Sequence, residues 1–105
     1  MKKQQQFRQG DVLITRVRAI PARAKQVARD KGRVVLAYGE VTGHAHAIVE
    51  PEALLFDDAG EFYLRADGAV VLRHEEHAPI NLDKGVYKVT RQREYTPEAI
   101  RNVAD

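Results

Sequence analysis

The chain has 105 residues, of which 44% are hydrophobic and 30% charged, and it contains neither cysteine nor serine. This length suits one domain, 1–105, with a single modest core, and the composition is that of an ordinary folded protein. Without cysteine or serine, disulfides, thiolate chemistry and serine nucleophiles are excluded, so any bound metal would have nitrogen and oxygen ligands.

Positive charge is concentrated in the first third of the chain. The net charge is only +2, but residues 1–33 carry +8 (ten Lys or Arg, two Asp or Glu), and residues 34–105 carry −6 (seven and thirteen). A basic segment can bind nucleic acid, yet here the charges are scattered and Phe7 is the one aromatic among them. We therefore expect such binding to be weak and non-specific, if it occurs at all.

Neither a membrane span nor an export signal is visible in the sequence. No apolar run approaches the ~20 residues that a bilayer requires. The start, MKKQQQFRQGD, has lysines without a following apolar stretch. We therefore expect a cytoplasmic protein.

The first third predicts one strand and one connector. Residues 1–10 are polar and are expected to be flexible. The stretch 11–20, DVLITRVRAI, is rich in β-branched residues and stops at Pro21, which predicts a strand. The basic connector that follows, 21–32, has a thin apolar stripe that allows at most one short helix.

The remainder predicts short strands separated by turns that contain glycine or proline. With the first strand this gives about seven or eight, which indicates an all-β fold, a small antiparallel barrel or sandwich. At the end, Thr96 is a good N-cap and Pro97 suits the first helical position, so 96–105 predicts a short helix. Among the other predicted strands are 33–41, 44–50, 61–65, 69–74 and 86–92.

All four histidines fall into two short stretches, GEVTGHAHAIVE (39–50) and RHEEHAPIN (73–81). On a regular strand, His44 and His46 point to the same side together with Glu50, so that the imidazoles can converge. Alternation alone leaves open whether this side faces solvent or the inside of a barrel.

The second pair needs an irregularity to converge. His74 falls on the side of its strand where buried residues are expected, whereas His77 would fall on the opposite side. A β-bulge, or a turn at Glu75 and Glu76, would bring both to one side. Two strands would then supply four imidazole nitrogens, which suit zinc, iron, copper or nickel, and carboxylates extend the choice to manganese. The alternative is that these are ordinary surface or core histidines.

Glu75 and Glu76 are the candidates for catalytic work. Beside a liganding histidine, each carboxylate could accept a hydrogen bond from the imidazole or act as a general base. The alternative is a solvated acidic turn.

The first histidine pair carries a family resemblance. His44-Ala45-His46, three further residues and Glu50 are similar to the first metal motif of the cupin superfamily, in which two histidines and a glutamate lie on one strand of a small β-barrel. The stretch from His77 to Asn81 resembles the end of the second cupin motif, although the Pro-x-Gly turn that precedes that histidine in cupins is missing here. The resemblance covers roughly 33–91. It implies a cupin-like barrel with His44, His46, Glu50 and either His74 or His77 as ligands.

Longer strings, YGEVTGHAH, HEEHAPI and QREYTPE, resemble those of small bacterial and phage proteins without an assigned activity, which implies a prokaryotic origin. We expect a histidine-rich protein that binds a divalent ion such as zinc, manganese, iron or nickel and serves as a metal-dependent enzyme or sensor acting on a small molecule. The alternatives are a metal-free module that forms a homo-oligomer, and weak nucleic-acid binding through 1–33.

Overall fold

The computed structural model describes residues 6–39 and 44–91, and these residues form ten β-strands. The all-β class predicted from the sequence is confirmed. The strands are β1 (Gln6–Gln9), β2 (Val12–Val17), β3 (Lys25–Val27), β4 (Val34–Tyr38), β5 (Ala45–Ile48), β6 (Ala53–Asp58), β7 (Glu61–Ala66), β8 (Val70–His74), β9 (His77–Leu82) and β10 (Gly85–Arg91).

The strands pair into two antiparallel sheets. The larger sheet has the order β1-β2-β10-β7-β6-β3, and the smaller has the order β4-β5-β8-β9. Both sheets have free edges within the described residues, so they do not close into a barrel. Of the two architectures expected from the sequence, the barrel is therefore corrected to two open, antiparallel sheets.

The core lies between the sheets, because alternate residues of each strand point inward. Ile14 and Tyr87 of the larger sheet and Leu36, Ile48 and Leu72 of the smaller sheet are fully buried in one apolar cluster. Burial of each such side chain stabilises the fold by about 1.5–3 kcal/mol.

Four segments differ from the sequence prediction. The connector 21–32 contains the short strand β3 and no helix. Residues 6–9, expected to be flexible, form β1 because they pair with β2 from Gln6↔Thr15 to Gln9↔Val12. β6 and β9 were not predicted, since their sequences mix apolar with acidic residues or proline. The predicted helix 96–105 lies outside the described residues.

The described part of the chain holds no helix of the length and apolarity that a membrane crossing requires.

Arg29 ties the connector to the chain segment that passes between the sheets. Its guanidinium donates hydrogen bonds to the carbonyl oxygens of Gly32 at 2.7 Å, Glu50 at 2.6 Å and Ala53 at 3.0 Å. Glu50 and Ala53 lie on either side of the step from β5 in the smaller sheet to β6 in the larger one. Part of the basic charge of the first third thus has a structural use.

We expect Arg29→Lys to lower the free energy of unfolding by about 1–3 kcal/mol, because an ammonium group cannot reproduce a planar fork that reaches four carbonyl groups, that of Val49 included. Arg23→Lys is the matched control. Arg23 pairs with Asp58 at 2.7 Å but its side chain is 80% exposed, so the change should cost much less than Arg29→Lys. Urea denaturation of both variants measures the difference. Equal costs would contradict the role assigned to Arg29.

Candidate metal centre

The four imidazoles converge at one place, and His74 lies at the centre of the group. Its ring centroid is 4.3 Å from that of His46, 4.7 Å from that of His77 and 5.8 Å from that of His44. The rings of His46 and His77 are 5.9 Å apart. Both predicted histidine pairs therefore contribute to a single cluster at the end of the smaller sheet.

The first pair is positioned by β5. His46 lies within the strand, points to the same side as the core residue Ile48 and is only 5% exposed. His44 directly precedes the strand, and its ring stands at 88° to that of His74. The two rings thus approach a common neighbour, as their spacing predicts, although only His46 belongs to the strand.

The second pair is positioned by the β8–β9 hairpin. His74 and His77 are directly opposite each other across a tight turn formed by Glu75 and Glu76, and the register shifts between Leu72 and His74. The irregularity expected from the sequence is confirmed, in the form of both a turn and a register shift. His74 is half-buried and His77 is exposed, which agrees with the prediction that His74 is the more buried of the two.

Gln9, which sequence reasoning missed, holds His46 from the other sheet. Its amide nitrogen donates to the carbonyl oxygen of Ala78 at 2.8 Å and to that of Leu72 at 3.1 Å. Its amide oxygen lies 2.8 Å from Nδ1 of His46. Gln9 is itself 2% exposed, so these bonds satisfy a polar group that would otherwise be costly to bury.

These bonds determine the tautomer of His46. The amide nitrogen of Gln9 faces two carbonyl oxygens and must be the donor, so the amide oxygen is an acceptor. His46 therefore donates from Nδ1, and the lone pair of its neutral ring is on Nε2. Histidines that bind metals usually have this arrangement, with the second ring nitrogen donating to a carbonyl or carboxylate oxygen.

Gly10 leaves space for the imidazole rings of His46 and His77. Its φ of +57° is unfavourable for residues with a side chain, and a Cβ atom there would lie 2.8 Å from Nε2 of His77 and 3.3 Å from Cε1 of His46. Gly10 and Asp11 form the two-residue link between β1 and β2, with glycine at the first central position as in type II′ turns. The sequence Gln9-Gly10-Asp11 signals a turn, but its proximity to the histidines depends on tertiary packing.

Glu75 approaches the cluster from the hairpin turn. Its carboxylate accepts a hydrogen bond from the backbone N–H of Ala45 at 3.0 Å. Backbone N–H groups of Ala45 and of Glu75 itself lower the pKa of this carboxyl group, and the nearby rings of His44 and His74 lower it further. The ionised Glu75 carboxylate thus stabilises the fold at pH values above the ordinary glutamate pKa. This contribution is lost as the pH falls through the lowered pKa of Glu75.

His44, His74 and Glu75 form the group that could hold an ion. One ligand atom from each of these residues lies within 4.8 Å of the other two. Ligands bound tetrahedrally to zinc at 2.0–2.1 Å would be about 3.4 Å apart, so the distances between these ligand atoms would have to shorten by up to about 1.4 Å. The exposed position of Glu75 allows this movement.

Glu76 contacts two of the histidines. Its carboxylate lies 3.5 Å from Nδ1 of His44, and its backbone N–H donates to Nδ1 of His74 at 3.0 Å. The first contact matches the expected role of a carboxylate that orients an imidazole. The second makes Nδ1 of His74 an acceptor, so that the proton of its neutral ring is on Nε2.

Glu50, the predicted carboxylate ligand, is placed elsewhere. One carboxylate oxygen accepts the backbone N–H of Val71 at 3.2 Å, and the other lies 3.8 Å from the guanidinium of Arg73. β5 ends at Ile48, so the alternation that would have aligned Glu50 with the histidines stops before reaching it. At this site Glu75 and Glu76 are the residues whose carboxylates lie beside the histidines.

Neither a curated protein nor a solved structure gives a significant match to this chain. A family model matches residues 8–92, which include all four histidines, Gln9, Gly10 and the Glu75–Glu76 turn. The chain belongs to the family described as Domain of unknown function (DUF8820).

Proposed function

We propose that this protein binds a divalent metal ion through its histidine cluster and uses the ion to act on, or respond to, a small molecule. The observation that carries the proposal is the convergence of the rings around His74, with a carboxylate of lowered pKa beside them. His44, His74 and Glu75 are the proposed ligands. His46 is a further candidate, and His77 can join from the exposed side.

The donor chemistry supports an ion of the zinc, iron, nickel or manganese type. Neutral imidazole favours the first three, and each carboxylate in the set makes manganese a better fit. Three protein ligands would leave positions open for a small molecule, as catalytic or ligand-sensing metals require, and a divalent ion there would act as a Lewis acid. The resemblance to cupins contributes to this proposal only through the histidines, because Glu50 is bonded elsewhere.

Nucleic-acid binding through 1–33 is the less favoured function. Arg16 donates to the hydroxyl of Tyr87 at 2.9 Å, and Arg29 to the carbonyl groups described above. Guanidinium groups engaged in this way are poorly placed to follow a phosphate backbone. If the protein binds no metal ion, the alternative is a metal-free module that forms a homo-oligomer.

Untagged wild-type protein is expected to bind zinc, manganese, iron or nickel stoichiometrically and to melt at a higher temperature when the ion is present. With free ion at about 100 times Kd, the added stability is about 2.7 kcal/mol, or a rise in Tm on the order of 10 °C. His74→Ala should abolish both effects while leaving the metal-free Tm comparatively little changed. Calorimetric titration and thermal melting measure them. Equal melting with and without each ion would contradict the proposal.

Glu50→Gln and Glu75→Gln form the matched pair that distinguishes the ligand sets. Glu75→Gln should weaken zinc binding by at least tenfold, because it removes a charged ligand, whereas Glu50→Gln should change the affinity by less than about threefold. A glutamine at position 50 can still accept the hydrogen bond from Val71. If Glu50→Gln had the larger effect, the cupin-type ligand set would be correct instead.

The role of Gln9 is tested through the tautomer of His46. In wild type, nitrogen chemical shifts should place the His46 proton on Nδ1, and Gln9→Ala should release this preference and weaken zinc binding by about 10–100-fold. Gln6→Ala, on the same strand but exposed, is the control and should alter neither property. An unchanged tautomer and affinity in Gln9→Ala would show that Gln9 acts only as a structural bridge.

A further inference from the structure

A cleft of about 300 Å³ opens on the side of the smaller sheet that faces away from the core. Ala45 and Ala47 form its floor, because they alternate along β5 with the core-facing residues. Val49 extends this apolar surface and is 50% exposed, which is unusual for a large aliphatic residue within 6–39 and 44–91. Arg33 and Arg73 line the same cleft. It therefore combines an apolar floor with two permanently charged guanidinium groups.

The cleft reaches the proposed metal centre. His74 and Glu75, two of the three residues in the ligand group, also line the cleft. A molecule bound there would thus lie against the ion without having to enter the core. The volume is at the lower end of the range for small-molecule sites, about 300–1,000 Å³, which limits the ligand to a small one.

We propose that this cleft binds a small organic acid, with its carbon chain over Ala47 and Val49, a carboxylate between Arg33 and Arg73, and its other end at the metal. The inference rests on the proposed metal function and names the class of small molecule. Guanidinium groups bind carboxylates through paired, charge-assisted hydrogen bonds. The apolar floor favours an organic acid over a bare inorganic anion.

The charges around the cleft are compatible with an anionic ligand. Arg73 lies 3.8 Å from the carboxylate of Glu50, and its side chain is 57% exposed. A pair this long and exposed contributes little to stability, so an incoming carboxylate can compete for the guanidinium group. Glu75 would repel an anion in the metal-free protein, but its charge is offset when it binds a divalent ion. Metal should therefore strengthen binding of the acid.

Glutarate is a suitable probe, because it has one carboxylate for the arginines, one for the metal and an apolar chain between them. Titration into zinc-loaded, isotope-labelled wild type should shift the amide resonances of Ala45, Ala47 and Val49. Arg33→Gln and Arg73→Gln should each weaken glutarate binding by about tenfold or more. Arg65→Gln is the control on the other sheet, where the guanidinium pairs with Asp67, and should have no effect.

Three comparisons make the outcome decisive. Glutaramide, which has the same shape without charge, should not bind, and removal of zinc should weaken glutarate binding. If zinc binds but glutarate does not, or binds equally well to both cleft variants, the cleft proposal is overturned and the metal function stands. If inorganic phosphate shifts the same amides as strongly as glutarate, the organic-acid assignment is wrong. If wild type does not bind zinc, both proposals fall.

Discussion

The side-chain amide of Gln9 joins the two sheets and an imidazole through three hydrogen bonds, and the histidine cluster depends on it. Gln9 ends the edge strand of the larger sheet, while the carbonyl groups of Leu72 and Ala78 and the ring of His46 belong to the smaller sheet. The two open sheets also meet through apolar packing, which has no directional preference, and through a hydrogen bond from Nε of Arg91 in β10 to the carbonyl oxygen of Leu36 in β4 at 2.7 Å. The amide adds direction, since its nitrogen only donates hydrogen bonds and its oxygen only accepts them. It thereby fixes how the sheets meet and which nitrogen of His46 carries the proton.

Local patterns predicted the parts of the site that are set by local geometry. The spacing predicted that His44 and His46 approach one neighbour, which they do although His44 directly precedes β5, and the acidic turn places His77 opposite His74. Alternation did not predict the position of the Glu50 carboxylate, which contacts the N–H of Val71, because β5 ends at Ile48. The contribution of Gln9 could not be predicted, because it lies 63 positions from Leu72 and a polar strand such as β1 carries no apolar signal. Contacts between sheets are decided by packing, which a single sequence does not display.

The basic first third illustrates the same limit for charge. The sum of +8 for residues 1–33 is correct, but it does not distinguish charges exposed to a partner from charges used inside the fold. Arg16 lies over the ring of Tyr87, with 5.0 Å between its guanidinium carbon and the ring centroid, and Arg29 is enclosed by carbonyl oxygens. Arginine suits such positions, because its planar fork binds several oxygens and is weakly hydrated. Arg33, by contrast, lines the cleft beside the histidines. We therefore base the proposed role of residues 1–33 on Arg33 and not on the total charge of the segment.

The rings of His46 and His74, at the centre of the cluster, carry their protons on different nitrogens, and this affects how each could bind an ion. Gln9 directs the lone pair of His46 to Nε2, while the backbone N–H of Glu76 occupies Nδ1 of His74 and leaves the proton on Nε2. These tautomers are complementary, since Nε2 of His46 carries a lone pair and Nε2 of His74 carries a proton. Binding through Nε2 of His74 would require the opposite tautomer and would leave the Glu76 N–H without its acceptor. Binding through Nδ1 would put the metal in place of that N–H. Either route changes the Glu75–Glu76 turn, which also carries the proposed carboxylate ligand, so metal binding and the conformation of this hairpin must be coupled.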